Sequence, residues 1–210
     1  MKRSELTKLT TSLMGMLVNG RVSQRIVYAM PLGELVRGFY VEDSRYSSSE
    51  FYLWVFCVPL YVPAASLSLT FGRRLKSSKE VAWTLDGVSQ PGVPEQISAQ
   101  SSEFLQCVET PAKFASSIAN LTRAPENLHV MEAVAYSLTV SEKWTEAADA
   151  LARLLLRMES VITAHNESTL GMKQRAELLQ KLVATNHEQA LAQLQTWREQ
   201  TLTNLKLSLA

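Results

Sequence analysis

A single change of hydrophobic period near the midpoint constrains this chain most. Up to about Gln90 apolar and polar residues alternate as in strands, densest in the run from Phe51 to Pro63. From about Ser101 to Ala210 they recur at helical spacing almost without a break. The predicted class is α+β: an N-terminal helix plus an antiparallel β-sheet of about four strands, followed by a C-terminal α-helical bundle. The expected boundaries are an α+β sheet domain over 1–88, a linker over 89–100 and a helical domain over 101–210.

Length and charge narrow what such a chain can do. Its 210 residues are enough to bury a sizeable core, and 46% hydrophobic with 20% charged residues is ordinary globular composition. A formal net charge of +1 gives no broad field for nucleic acid or an anionic membrane, although a balanced total can hide a local basic patch. Cys57 and Cys107 match no ligand spacing and read as two thiols in a reducing compartment. Near the N-terminus, Glu5 and Lys8 interrupt the apolar stretch, and Leu13 to Val18 is too short for a signal sequence. The longest apolar run, 51–65, is below a membrane span and carries Pro59 and Pro63. A cytoplasmic protein is expected, so the sequons at Asn120 and Asn166 are chance matches.

The elements follow from pattern and punctuation. Leu6, Leu9, Leu13, Met16 and Leu17 form one helical stripe, stopped by Asn19-Gly20. Strands are predicted over 21–29 and 35–41, with Arg37 on the inward side of the second, and a polar hairpin loop over 43–49. The next strand, 51–58, is apolar on both faces and belongs in the middle of a sheet covered on both sides, which buries Trp54 and Phe56. Leu67, Leu69 and Phe71 predict a strand with one wet face; Val81, Trp83 and Leu85 predict a further short one. Pro91, Gly92 and Pro94 make 89–99 the best linker. In the second half, Thr110 can cap a helix with Pro111 at its first position. Pro125 opens the next helix, with Leu128, Met131, Ala135 and Leu138 on its apolar side. Ala148, Leu151, Leu155, Met158 and Ile162 line a longer one. The last two helices meet at Thr185–Glu188, which has capping-box spacing.

Few residues carry chemistry. Ala133, Tyr136, Trp144, Ala147 and Leu151 resemble a tetratricopeptide helical hairpin. There is one such unit where a stack needs several, so an ordinary helix pair is the better reading. His129, His165 and His187 have no metal-ligand spacing, and no phosphate-binding glycine loop, dinucleotide fingerprint or nucleophile elbow is present; no cofactor or metal is expected. Arg37, Glu42, Asp43, Arg73 and Arg74 flank strands of the predicted sheet and are the candidate binding residues of the first half. Glu42, Asp43 and Glu50 could be recruited to hold magnesium in a nuclease, but no acid-x-lysine strand accompanies them, and two arginines beside two acids favour a salt-bridge network. One of the arginines should be held by Glu42 or Asp43. Trp144 and Trp197 are candidate anchors for a partner if their faces are exposed.

Three blocks carry a resemblance. They are Arg37-Gly38-Phe39-Tyr40 with Glu42-Asp43-Ser44, then Phe51-Tyr52, Trp54-Val55-Phe56 and Pro59-Leu60-Tyr61-Val62-Pro63, then Phe71-Gly72-Arg73-Arg74. The ending Trp197, Thr201 and Leu205-Lys206-Leu207 is also similar. Over roughly 1–85 the chain resembles a family of hypothetical bacterial proteins of unknown function, with related domains linked to immunity or antiviral defence. The resemblance implies an α+β fold and a bacterial origin, and carries over no catalytic residue.

The expected function is a cytoplasmic protein-interaction module, an accessory or immunity subunit of a bacterial defence or toxin system, whose partner is another protein or itself. A nucleotide-binding or nucleic-acid-processing enzyme built on Arg37, Glu42, Asp43, Arg73 and Arg74 is the alternative. Convergence of those five groups in one cleft favours the enzyme; an uncovered groove favours the binder.

Overall fold

Phe51, Leu53, Val55 and Cys57 are fully buried, whereas Leu60 and Tyr61, equally buried and only a few residues on, belong to a different core. The computed structural model describes residues 1, 3–77, 82–84, 90–121, 127–161 and 167–207. It divides the chain into two units: 1–58, 67–109 and 206–210 make the first, 59–66 and 110–205 the second. The long apolar run is therefore two blocks feeding two cores.

In the first unit, helix α1 (Arg3–Met14) is followed by strands β1 (Arg21–Ser23), β2 (Ile26–Tyr28), β3 (Leu35–Asp43), β4 (Glu50–Pro59), β5 (Gly72–Leu75) and β6 (Trp83–Thr84), then helix α2 (Val93–Cys107). The sheet is antiparallel in the order β1-β2-β3-β4-β5, with β6 also on β4. Leu9 and Leu13 bury the α1 stripe, but the helix ends at Met14, before the expected stop; Asn19 takes the left-handed conformation (φ 47°) in the turn that follows. At the hairpin between β1 and β2 the residues 21–29 do not run as one strand, because Gln24 turns the chain at φ 55° with no glycine to signal it. Arg73 and Arg74 lie inside β5. The alternating stretch 67–71 is not a strand: the Gly72 N–H bonds back to the Leu69 carbonyl at 3.0 Å, and Ser68 bonds Thr70 beside it. Trp83 is buried and donates its Nε1–H to the Leu75 carbonyl at 3.0 Å; Val81 and Leu85 lie outside the described residues.

Much of the expected linker is helix. Residues 93–100 form the first half of α2, with Gly92 as its N-cap at φ 86° and proline in the first turn, where its missing N–H leaves no hydrogen bond unmade. The β4 expectation is corrected in part. Phe56 is fully buried, but Tyr52 and Trp54 are only half-buried, since at their end of the strand the second face stays open.

The second unit contains α3 (Pro111–Leu121), α4 (Leu128–Val140), α5 (Trp144–Val161), α6 (Glu167–Thr185) and α7 (His187–Leu205). Thr110 caps α3 as expected, its Oγ1 accepting the Lys113 N–H at 3.2 Å. Asn127 caps α4, and Asn186, in place of Thr185, caps α7 through the Gln189 N–H at 3.0 Å. Pro125 and Ile162 lie outside the described residues. On α5 the buried stripe is Ala147, Ala150, Leu151, Leu154 and Met158, with Ala148 exposed, a small rotation from the expected set. Helix α4 touches α3, α5, α6 and α7, so it is buried nearly all round. Residues 59–66 are fastened in this unit: Tyr61 Oη meets Ser137 Oγ at 2.6 Å, Thr201 Oγ1 bonds Val62 and Ala64, and Asn204 donates to the Ala64 carbonyl.

Candidate functional site

Strand β5 ends the sheet path, and the parity of its ladder decides what it offers. The Cys57 N–H bonds the Phe71 carbonyl at 2.9 Å, so Phe71, Arg73 and Leu75 aim their main-chain groups at β4, while Arg74 and Lys76 aim theirs at the open edge. At Lys76 that edge is closed by a side chain. The Lys76 N–H donates to Gln100 Oε1 (2.9 Å), and Gln100 Nε2 donates to the Lys76 carbonyl (2.7 Å), joined by Gln96 Nε2 at 3.3 Å. Gln100 thus stands where a further strand would pair, and blunts the edge against strand addition.

Successive side chains on a strand point to opposite faces. Arg73 turns toward α2 and donates to the Gln100 carbonyl. Arg74 turns to the other face and lies over the Tyr52 and Trp54 rings, 4.1 and 4.7 Å from their centroids. Its Nη2 meets Glu42 Oε2 at 3.3 Å, and the same oxygen accepts the Trp54 indole N–H at 2.8 Å. An arginine of the pair is indeed held by Glu42. Between the β5 edge and α2 runs an open cleft of about 330 Å³, lined by Arg73, Arg74, Lys76, Ala99, Gln100 and Glu103.

The remaining sequence candidates lie elsewhere. Arg37 donates to the Leu105 carbonyl at 3.3 Å, a cation placed on the last turn of α2 where the helix dipole welcomes it. Asp43 is bound by Arg25 at 2.6 Å, a residue the sequence analysis did not single out; that hydrogen bond holds the Asp43 carboxyl below its ordinary range. Of the five charged candidates, Glu42 and Arg74 touch, Arg73 shares the cleft rim, and Arg37 and Asp43 are committed to other partners. Trp197 is buried and stacked on Tyr136 (5.3 Å between centroids), so it presents no face to a partner. Trp144 is half-buried and stacked on His187 at 3.8 Å. Burial pushes the Cys57 thiol up despite the nearby Arg37, which leaves it chemically inert.

Inside the helical unit, sequence reasoning missed a buried ionisable cluster. Glu132, only 1% exposed, accepts two hydrogen bonds from Arg175, at 3.2 Å from Nε and 2.8 Å from Nη2. Burial raises its carboxyl above the ordinary value, offset in part by Arg175; burial and the Glu132 charge raise the Tyr136 hydroxyl as well. The signal was a lone acid in α4, a helix otherwise free of Asp, Glu, Lys and Arg. A raised carboxyl contributes stability that is complete below its unfolded value and is lost as pH rises through the folded one. Thermal melts should therefore show the wild type losing ground to Glu132→Gln as pH climbs from 4 to 7. A difference that stays constant, or reverses in slope, contradicts the assignment.

Among the described residues, no group of three or more His, Cys, Asp or Glu is placed to hold a metal ion, and no helix is long and apolar enough to cross a membrane. No family model matches the chain, and comparison with curated proteins and with solved structures gives no significant match.

Proposed function

We propose that this chain is a protein-interaction module, with the β5–α2 edge of its first unit as the contact surface. The observation that carries the reading is the open cleft beside Arg73 and Lys76, two exposed cations without a carboxylate partner among the described residues. The charged candidates are spread over separate structural pairs, which supports recognition over catalysis. An enzyme built on Arg37, Glu42, Asp43, Arg73 and Arg74 would need them around one reacting atom. Two unpaired thiols, Cys57 and Cys107, accord with a cytoplasmic setting. A bacterial immunity or defence role rests on the resemblance of the Arg37–Ser44 and Phe51–Pro63 blocks.

The test is reconstitution. The full chain, immobilised, captures a polypeptide from its native host; that polypeptide, purified, then forms a complex of fixed stoichiometry by light scattering. Self-association by the same measurement also supports the reading. A chain that stays monomeric, captures nothing and turns over a nucleotide reverses it in favour of the enzyme.

A further inference from the structure

The partner's chemistry follows from the charges along the cleft. Resting on the interaction reading above, we infer that the β5–α2 cleft receives an acidic segment of a partner polypeptide, whose carboxylates pair with Arg73 and Lys76. Arg73 spends one donor on the Gln100 carbonyl and keeps the rest of its planar fork for a carboxylate, a geometry that suits bidentate pairing. Lys76 is exposed, and its main chain is already fixed by Gln96 and Gln100, so the ammonium stands on an ordered base.

Three features favour a polypeptide over a nucleic-acid strand. Arg74, though its residue lines the cleft, turns its guanidinium to the other face, where it is already paired with Glu42. The residues that line the cleft include no aromatic ring on which a base would stack. Glu103 lies in the cleft and is exposed, so a continuous run of phosphates would meet a negative charge beside the two cations. Spaced carboxylates can pair with Arg73 and Lys76 and step over Glu103. Strand addition is disfavoured because Gln100 fills the ladder position at Lys76. Recognition is therefore by side-chain charge, which makes it sensitive to salt.

Fluorescence anisotropy on the full chain tests this with three labelled probes: a peptide of alternating glutamate and serine, the same peptide with glutamine for glutamate, and a thymidine decanucleotide. The acidic peptide should bind best and weaken as salt is raised. Arg73→Gln with Lys76→Gln should weaken it by about tenfold or more, while Glu103→Gln tightens it and Arg153→Gln, an exposed change on α5, leaves it unchanged. Both cleft positions are exposed, and matching melting curves will confirm that the double variant is folded. Equal binding of the glutamine peptide, or an unaffected double variant, overturns the inference; tighter binding of the oligonucleotide replaces it with a nucleic-acid site. Should peptide binding fail while the reconstituted complex forms, this inference falls alone; should both fail, the interaction reading falls with it.

Discussion

Gly38→Ala is expected to cost the fold about 3 kcal/mol or more, at the upper end of overpacking penalties. Gly38 lies opposite Tyr28 in the β2–β3 ladder, and a Cβ there would stand 2.8 Å from the Tyr28 Cα and nearer still to the Val27 carbonyl oxygen. Both obstacles are backbone, so relief requires the strands to part, and Val27, fully buried, must move with them. Gly33→Ala is the control. It meets nothing within 4 Å and should change stability by less than about 0.5 kcal/mol. Denaturant unfolding of the two variants checks the contrast, and equal midpoints would contradict the close approach of β2 and β3.

The second large effect separates two neighbours on the same face of β4. Phe56→Ala should cost about 3–5 kcal/mol, the range for deleting a large aromatic from a packed core. Trp54→Ala should cost no more than about 2 kcal/mol, because it loses one hydrogen bond to Glu42, the Arg74 contact and only part of a buried area. From alternation alone the two rings look equivalent, and both would be assigned to the core. Equal losses on denaturation would mean that the second face of β4 is covered along its whole length.

That pair shows where the sequence is legible and where it stops. Periodicity reports which residues share a face, and it placed β3, β4 and the last helices within a residue or two at most ends, while it ran α1 past its end at Met14. It does not report where a covering layer ends, and so could not tell Trp54 from Phe56. Turns made by unsignalled residues were also invisible: Gln24 and Glu142 adopt positive φ without being glycine, asparagine or aspartate. Proline and glycine gave the opposite error around Gly92, since the same residues that punctuate loops also start helices.

The site was half legible for a related reason. Charge pairing between strands is set by register, and once β3 and β5 flank β4, Glu42, Trp54 and Arg74 fall on one face within reach. The Arg74–Glu42 pair was therefore foreseeable. Lys76, Gln96, Gln100 and Glu103 were not, because the stretch that carries Gln96 and Gln100 reads as a linker and folds as the start of α2, which also carries Glu103. Trp197 illustrates the converse. An amphipathic stripe marks surface that must be buried without saying by what, and here Tyr136 of α4 covers it inside the same unit.

On this reading the β5–α2 edge is the place where a partner is met. Backbone amide chemical shifts of the ¹⁵N-labelled chain, followed during titration with the glutamate-serine peptide, test that most directly. The predicted result is a set of concentration-dependent shifts confined to Arg73–Lys76 on β5 and Gln96–Glu103 on α2, with the amides of α4 to α7 unmoved. Shifts centred on the exposed leucines of the helical unit, Leu156, Leu170 and Leu178, with β5 and α2 silent, would contradict it.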